Sequence, residues 1–282
     1  MGRVQGKVAV ITGAARGQGR NHAVRLAEEG ADIIAIDLCE DIDAATYALA
    51  GPEDLEETVR LVEKTGRRAV ARRVDVRDAV ALKKAIDEGV AELGGRLDVV
   101  IPNAGILPLG QAPVDSYTTT LDIDLVGVLN TVHAALPHVG EGGSVILVGS
   151  VMAFTPYGPE DAIAGPGMGA YKFAKHTLVD YVTSLAAQLG PSGRRVNAVH
   201  PTNVDTPLLL NDTVYRTFRP DLENPTQEDA LPVFASIQSM PVPFVEVDDV
   251  SSAVVFLASD ESRYVTGTHI RIDGGALVKQ GR

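Results

Sequence analysis

The chain is expected to fold as an α/β protein, a doubly wound, mostly parallel sheet of seven strands with helices on both faces. Three observations predict it. Short β-branched apolar runs alternate with amphipathic segments along nearly all 282 residues, as expected when crossover helices cover both faces of a sheet. The first run, residues 7–12 (KVAVIT), passes directly into Gly13-Ala14-Ala15-Arg16-Gly17-Gln18-Gly19. Glycines so spaced between a strand and a helix mark the Rossmann type of turn, where backbone amides approach a phosphate. No Ser-, Pro- or Gly-rich linker and no internal repeat divides the sequence, so residues 1–282 are read as one domain.

Each element can be justified in order. After the first strand, residues 17–29 read as a helix with Ala23, Leu26 and Ala27 on one side and Gly30 as its stop. Residues 31–36 are a strand ending at Asp37, and residues 38–52 a polar, irregular stretch; an insertion of about residues 38–60 is expected there. A helix over 53–64 stops at Gly66, and strands follow at 69–74 and 97–102, with a helix over 79–93 between them. Residues 116–136 read as one helical stretch, 144–148 as the fifth strand, 170–189 as a helix and 195–199 as the sixth strand. The last helix spans 247–258 and the last strand 269–272. Right-handed crossovers and a reversal of strand order predict a crevice at the carboxyl ends of the strands. Two stretches break the rhythm, residues 155–169 and the proline-rich 202–246. Both come after strand ends, so they are expected to wall a substrate site.

Composition narrows the function classes. A hydrophobic fraction of 45% is ample for a core, and no apolar run approaches the roughly 20 residues of a membrane span. The N-terminus enters a strand without a long apolar segment, so a soluble, cytoplasmic protein is expected. A formal charge of −12 disfavours nucleic acid, whose phosphates it would repel. Cys39 stands alone, which excludes an intrachain disulfide. His22, His133, His138, His176, His200 and His269 form no pair with metal-ligand spacing, and no metal is expected.

The chemistry rests on two segments. Gly13 allows the tight exit from the strand, Gly17 lets backbone approach a phosphate, and Gly19 lets the helix pack on the sheet. Asp37 lies 18 residues beyond Gly19, where a carboxylate accepts from adenosine ribose hydroxyls and repels a 2′-phosphate; it favours NAD over NADP. Arg16, a basic residue in the same turn, is the opposing signal. Farther on, Tyr171 and Lys175 stand four residues apart on one helix face, a phenol beside an ammonium. A free tyrosine, with a pKa of about 10, is a poor base at neutral pH. A neighbouring cation and an oxidised nicotinamide are expected to lower that value, so that Tyr171 takes an alcohol proton as hydride leaves for the cofactor. Ser150, ending a strand just upstream, is placed to hold the substrate oxygen.

These residues resemble the short-chain dehydrogenase/reductase family over nearly the whole chain. The matching features are TGAARGQG at 12–19, Asp75, Asn103-Ala104-Gly105, Ser150, Tyr171, Lys175, Pro201 and Thr206, then Val265-Thr266-Gly267 and Asp273-Gly274-Gly275. The resemblance implies that Asp75 meets the adenine amino group, that Asn103 holds its strand beside the cofactor, and that Val204 and Thr206 contact the carboxamide. Lys175 would also donate to the nicotinamide ribose. Arg16, Gln18, Leu38, Val76, Ala104, Gly105, Tyr171 and Pro201 complete the expected cofactor contacts. It also implies a homotetramer.

Residues 38–66, HPTNVDTP at 200–207, FRPDLENP at 218–225 and the segment 248–267 further resemble the mycofactocin-coupled subgroup typified by carveol dehydrogenase. That resemblance implies NAD held in place and reoxidised there by a peptide-derived redox carrier, with residues 38–60 as a cover. The expected reaction interconverts a secondary alcohol and its ketone, the substrate being apolar and alicyclic or terpenoid. Met152, Phe154, Leu208, Leu209, Phe218, Val233 and Phe234 are the pocket candidates. Two departures stand out. Asp124 occupies the place of the family's asparagine, adding negative charge near Lys175 that is expected to raise the tyrosine pKa and alter the pH profile. In addition, 21 residues lead from Ser150 to Tyr171, a longer spacing than usual. Two other readings remain open: an NADP-dependent ketone reductase through Arg16, and a non-catalytic NAD-binding sensor or scaffold.

Overall fold

A computed structural model describes residues 2–159, 161 and 164–282. Its strands are β1 (Val8–Thr12), β2 (Asp32–Asp37), β3 (Ala69–Arg73), β4 (Leu97–Ile101), β5 (Val139–Val148), β6 (Arg195–Pro201) and β7 (His269–Ile272). They form one parallel sheet in the order β3-β2-β1-β4-β5-β6-β7, so the order reverses between β1 and β4. The crevice predicted from the alternation opens at that reversal.

Successive strand residues point to opposite faces, and the two cores obey that period. Ile11, Ile33, Ile101, Ile146 and Val199 face one way, against helices α1 (Gly17–Glu28) and α2 (Pro52–Lys64), with Leu26, Leu55 and Val62. Val10, Ile34, Val100, Val145 and Leu147 face the other, against α3 (Ala79–Glu92), with Leu82 and Ile86. A third, smaller cluster around Leu109, Leu209, Val214 and the fully buried Phe234 sits outside the sheet.

The helical stretch after β4 is continuous but not uniform. It runs as α4 (Ser116–Leu121), a π turn (Asp122–Val126) and α5 (Gly127–Ala135). The extra residue of a π turn rotates the next turn of helix and commonly marks a functional position; here it turns the wholly buried Asp124 toward the crevice. The long helix α6 (Pro166–Leu189) begins four residues before the expected start at Ala170, because Pro166 suits the first helical turn and Gly165, at φ +98°, sets the entry. Residues 160, 162 and 163 of the expected wall lie outside the described residues. Strand β5 starts at Val139 rather than residue 144: Val139 pairs with Leu97 of β4, and the register shifts across the glycine-rich residues before Ser144, which no apolar pattern marks.

The segment 202–246, expected to be irregular, holds two helices, α7 (Asp212–Phe218) and α8 (Gln227–Ile237). Asn211 caps the first by accepting from the Val214 amide, and Thr226 with Asp229 forms a capping box on the second. Helices α9 (Val247–Ala258) and α10 (Ala276–Lys279) complete the chain. Among the described residues no helix is long and apolar enough to cross a membrane, and no cluster of metal-ligating side chains occurs.

Candidate functional site

Two adjoining cavities occupy the crevice. The first is a groove lined by Gly13, Arg16, Gly17, Gln18, Gly19, Asp37, Leu38, Asp75, Val76, Asn103, Ala104, Gly105 and Thr206. Its floor needs glycine for steric reasons. Gly13 has φ +67°, and a Cβ there would stand 2.8 Å from the Ala104 Cα; a Cβ on Gly19 would stand 2.0 Å from the Gly13 carbonyl oxygen. Asn103 ties the ends of β1 and β4 together, its Nδ2 donating to the Thr12 and Gly13 carbonyls at 3.0 and 3.2 Å.

Asp37 faces the groove with its carboxylate held by the amides of Ala15 (2.9 Å) and Cys39 (3.2 Å). Burial pushes its pKa up, against those donors and the nearby Arg16. The Arg16 guanidinium itself donates to the Ala48 carbonyl at 2.6 Å, inside the insertion. Asp75 lines the groove with its carboxylate already engaged by Arg77, whose Nη2 lies 2.6 Å away.

The insertion does more than extend the chain beyond β2. Tyr47, unremarked in the sequence, reaches across the groove, and its hydroxyl accepts from the Leu107 amide at 3.3 Å. Thr213, on α7, donates to the Thr46 carbonyl at 3.2 Å. Residues 38–51 are therefore fastened to both the β4 side and the 202–246 segment.

The second cavity shares Gln18, Asn103, Gly105, Thr206 and Leu208 with the first. Ser150, Tyr171, Lys175, Asp124, Pro201 and Val204 line it, with Met152, Leu208, Leu209 and Phe218 supplying apolar surface. Leu107, Leu109, Met168 and Val214 line it too; nothing in their local sequence pattern separates them from core residues. Phe154 does not. Its ring packs edge-on against His200 at 4.8 Å and against His269 at 6.2 Å, behind the cavity wall, because the short turn after Ser150 points it back toward β6 and β7. Val233 and Phe234 are also absent from the lining; Phe234 supports Phe218 from below, ring centres 5.0 Å apart.

At the centre, Lys175 Nζ stands 5.2 Å from the centre of the Tyr171 ring and donates to the Val148 carbonyl at 3.2 Å. Asp124 Oδ2 lies 3.4 Å from the same ammonium, an ion pair without hydrogen-bond alignment, while Oδ1 accepts from the Ile106 amide at 2.8 Å. Burial raises the Tyr171 pKa; Lys175 and Ser150 pull it down, and Asp124 pushes it up. The expected lowering by the ammonium is present, but burial outweighs it and the net direction is upward. Burial likewise raises the Asp124 carboxyl, with Lys175 and the Ile106 amide opposing. Beside the cavity Lys172 is almost wholly buried, donating to both Asp161 oxygens at 2.8 and 2.9 Å and to the Pro156 carbonyl at 2.5 Å.

A glycine-floored groove at the strand-order reversal, joined to a chamber holding a tyrosine, a lysine and a serine, defines a dinucleotide-dependent oxidoreductase. The family model described as enoyl-(acyl carrier protein) reductase matches residues 13–276. A (−)-trans-carveol dehydrogenase of Rhodococcus erythropolis is 43% identical, the match covering 99% of this chain and 100% of the relative. Carveol dehydrogenase from Mycobacterium avium, crystallised with NAD, superposes with a TM-score of 0.93 at 49% identity, over 99% of this chain and 100% of that one. A short-chain dehydrogenase from Mycobacterium paratuberculosis, bound to NAD, gives 0.84 at 40% identity, over 98% and 99%. The chain belongs to the short-chain dehydrogenase/reductase family.

Proposed function

We propose that the protein is an NAD-dependent oxidoreductase that interconverts a secondary alcohol and its ketone, with an apolar alicyclic or terpenoid, carveol-like substrate. The observation that carries this reading is the meeting of Tyr171, Lys175 and Ser150 in an apolar chamber continuous with the glycine groove. The groove fits NAD: its glycines leave room for a pyrophosphate, Asp37 opposes a 2′-phosphate, and Arg16 is tied to Ala48. Gly13, Gly17, Gln18 and Gly19 would hold the pyrophosphate, Asp37 the adenosine ribose, and Val204 with Thr206 the carboxamide. The NAD complexes of the similar Mycobacterium proteins support the same choice.

Bound NAD supplies a cationic acceptor for the carbinol hydrogen. The chain's own residues handle the proton. The Ser150 hydroxyl orients the substrate oxygen, and the Tyr171 phenolate oxygen accepts its proton during oxidation or returns it during reduction. Lys175 stabilises that phenolate at 5.2 Å from the ring centre. Asp124 tempers Lys175 and so opposes phenolate formation at Tyr171.

We further infer that the cofactor stays in place between turnovers and is reoxidised there by an external redox carrier. The three fastenings of residues 38–51, at Leu107, Thr213 and Arg16, support retention. Exposed Tyr117 and Phe173, on α4 and α6, support a homotetramer built through those helices. The test is the ultraviolet spectrum and mass of material released when extensively dialysed protein is denatured. Released NAD is expected. Released NADP would overturn the cofactor choice, and empty protein would overturn retention.

A further inference from the structure

The strand end that carries Ser150 rests on a histidine no step of the mechanism uses. His200, at the end of β6, is fully buried, and its Nδ1 lies 3.2 Å from the Ser150 amide nitrogen and 3.1 Å from the Ser150 carbonyl oxygen. Its Nε2 lies 2.9 Å from Nδ1 of His269 on β7. The ring occupies the place where a side chain at position 149 would go: a Cβ on Gly149 would stand 2.4 Å from it. Phe154 closes the other side.

Backbone accounting selects the tautomer. Buried amides need a partner. The Ser150 carbonyl already accepts from the Ala153 amide at 3.0 Å, whereas the Ser150 N–H has, among the described residues, His200 Nδ1 alone. A bare Nδ1 satisfies that main-chain amide; Nε2 then carries the hydrogen and donates to His269 Nδ1, which moves the His269 hydrogen to an Nε2 without a partner among the described residues. Neutral imidazole is required, and burial pushes the His200 pKa down to about 4.

We propose that His200, held in its Nε2–H tautomer by the Ser150 amide with His269 as acceptor, is the positioning residue that sets the backbone of Ser150 and hence the aim of its hydroxyl at the substrate oxygen. The proposal rests on the dehydrogenase reading for the consequence it has, but the tautomer is a property of the chain alone. His200 touches neither substrate nor cofactor in this role. It acts through one main-chain amide, and misplacement of a reacting group by about 1 Å can cost about a hundredfold in rate.

Two measurements test it. In protein labelled with nitrogen-15 at histidine, the His200 signals should show a bare Nδ1 and a protonated Nε2; a protonated Nδ1 would overturn the proposal. In turnover, His200→Leu, which has no acceptor, should lower kcat about ten- to a hundredfold with little change in KM or in NAD affinity. His200→Asn, whose carbonyl can accept from the Ser150 amide, should recover most of that loss. Equal kcat in the Leu variant and the parent, or equal loss in both variants, would overturn it. Should His200→Leu fail to fold, the nitrogen spectrum decides. Should the parent turn over no secondary alcohol, the dehydrogenase reading falls while the spectrum still decides the tautomer.

Discussion

Replacing Asp124 with asparagine removes a buried negative charge from beside the Tyr171–Lys175 pair. The 3.4 Å and 5.2 Å legs through Lys175 Nζ keep the Asp124 carboxylate within about 8.6 Å of the Tyr171 ring centre. At an effective dielectric of about 20, that distance sets a repulsion of about 2 kcal/mol against a phenolate, equivalent to roughly thirtyfold in its population. Water entering the chamber screens part of it, so a gain of about five- to thirtyfold in kcat/KM for alcohol oxidation is expected at pH below the phenol titration. The sign differs between directions. Oxidation needs the phenolate, and its rising limb should move to lower pH. Ketone reduction needs the neutral phenol, and its rate should begin to fall at lower pH than in the parent. The assay is the pH dependence of kcat/KM in both directions, in parent and Asp124→Asn. Superimposable profiles would refute the assigned role of Asp124.

The same geometry predicts further outcomes. Tyr171→Phe should lower kcat by about a thousandfold, within the range for loss of a general acid–base group, while titration calorimetry shows unchanged NAD affinity; full turnover would refute the assignment. Asp37→Ala should shift the ratio of NAD to NADP affinities toward NADP by about tenfold, or ~1.4 kcal/mol; an unchanged ratio would show that Asp37 does not read the 2′ position. Lys172→Met should destabilise the fold by about 3–5 kcal/mol in denaturant titrations because it strands buried Asp161; a cost below 1 kcal/mol would show the pair to be screened. His22 is wholly buried with its pKa pushed down to about 3. Its folded value lies below the unfolded one of about 6.5, so its contribution is present above that pH and is lost on acidification toward about 3, by ~1.4 kcal/mol per pH unit. Stability of His22→Gln should fall less steeply over that window; equal slopes would contradict the assignment.

Legibility in the sequence depended on how local the cause was. β1, α1 and the glycine turn between them could be read because strand burial, tight turn and helix packing all leave marks within 20 residues. The same holds for α9 and β7, whose limits match the expectation. The start of β5 escaped because it rests on one pairing, Val139 with Leu97 of β4 ahead of a register shift, and not on apolar content. Helices α7 and α8 hid behind prolines, though Asn211 and the Thr226–Asp229 box were legible caps. In the site, Tyr171, Lys175 and Ser150 were readable as chemistry. Tyr47 was not, because its role depends on a crossing from residue 47 to residue 107 that no spacing encodes. Phe154 was misplaced for the complementary reason: aromatic character says nothing of which side of a turn it takes. The π turn at Asp124 left no pattern either, since its one-residue rotation preserves the helical period on both sides.

The central claim is tested most directly by one single-turnover measurement. Protein saturated with NAD is mixed with an alicyclic secondary alcohol, and bound NADH is tracked by its near-ultraviolet absorbance in the parent and in Tyr171→Phe. One equivalent of NADH per chain in the parent and almost none in the variant is the predicted result. Equal NADH in both would show that the proton leaves by another route and would contradict the account.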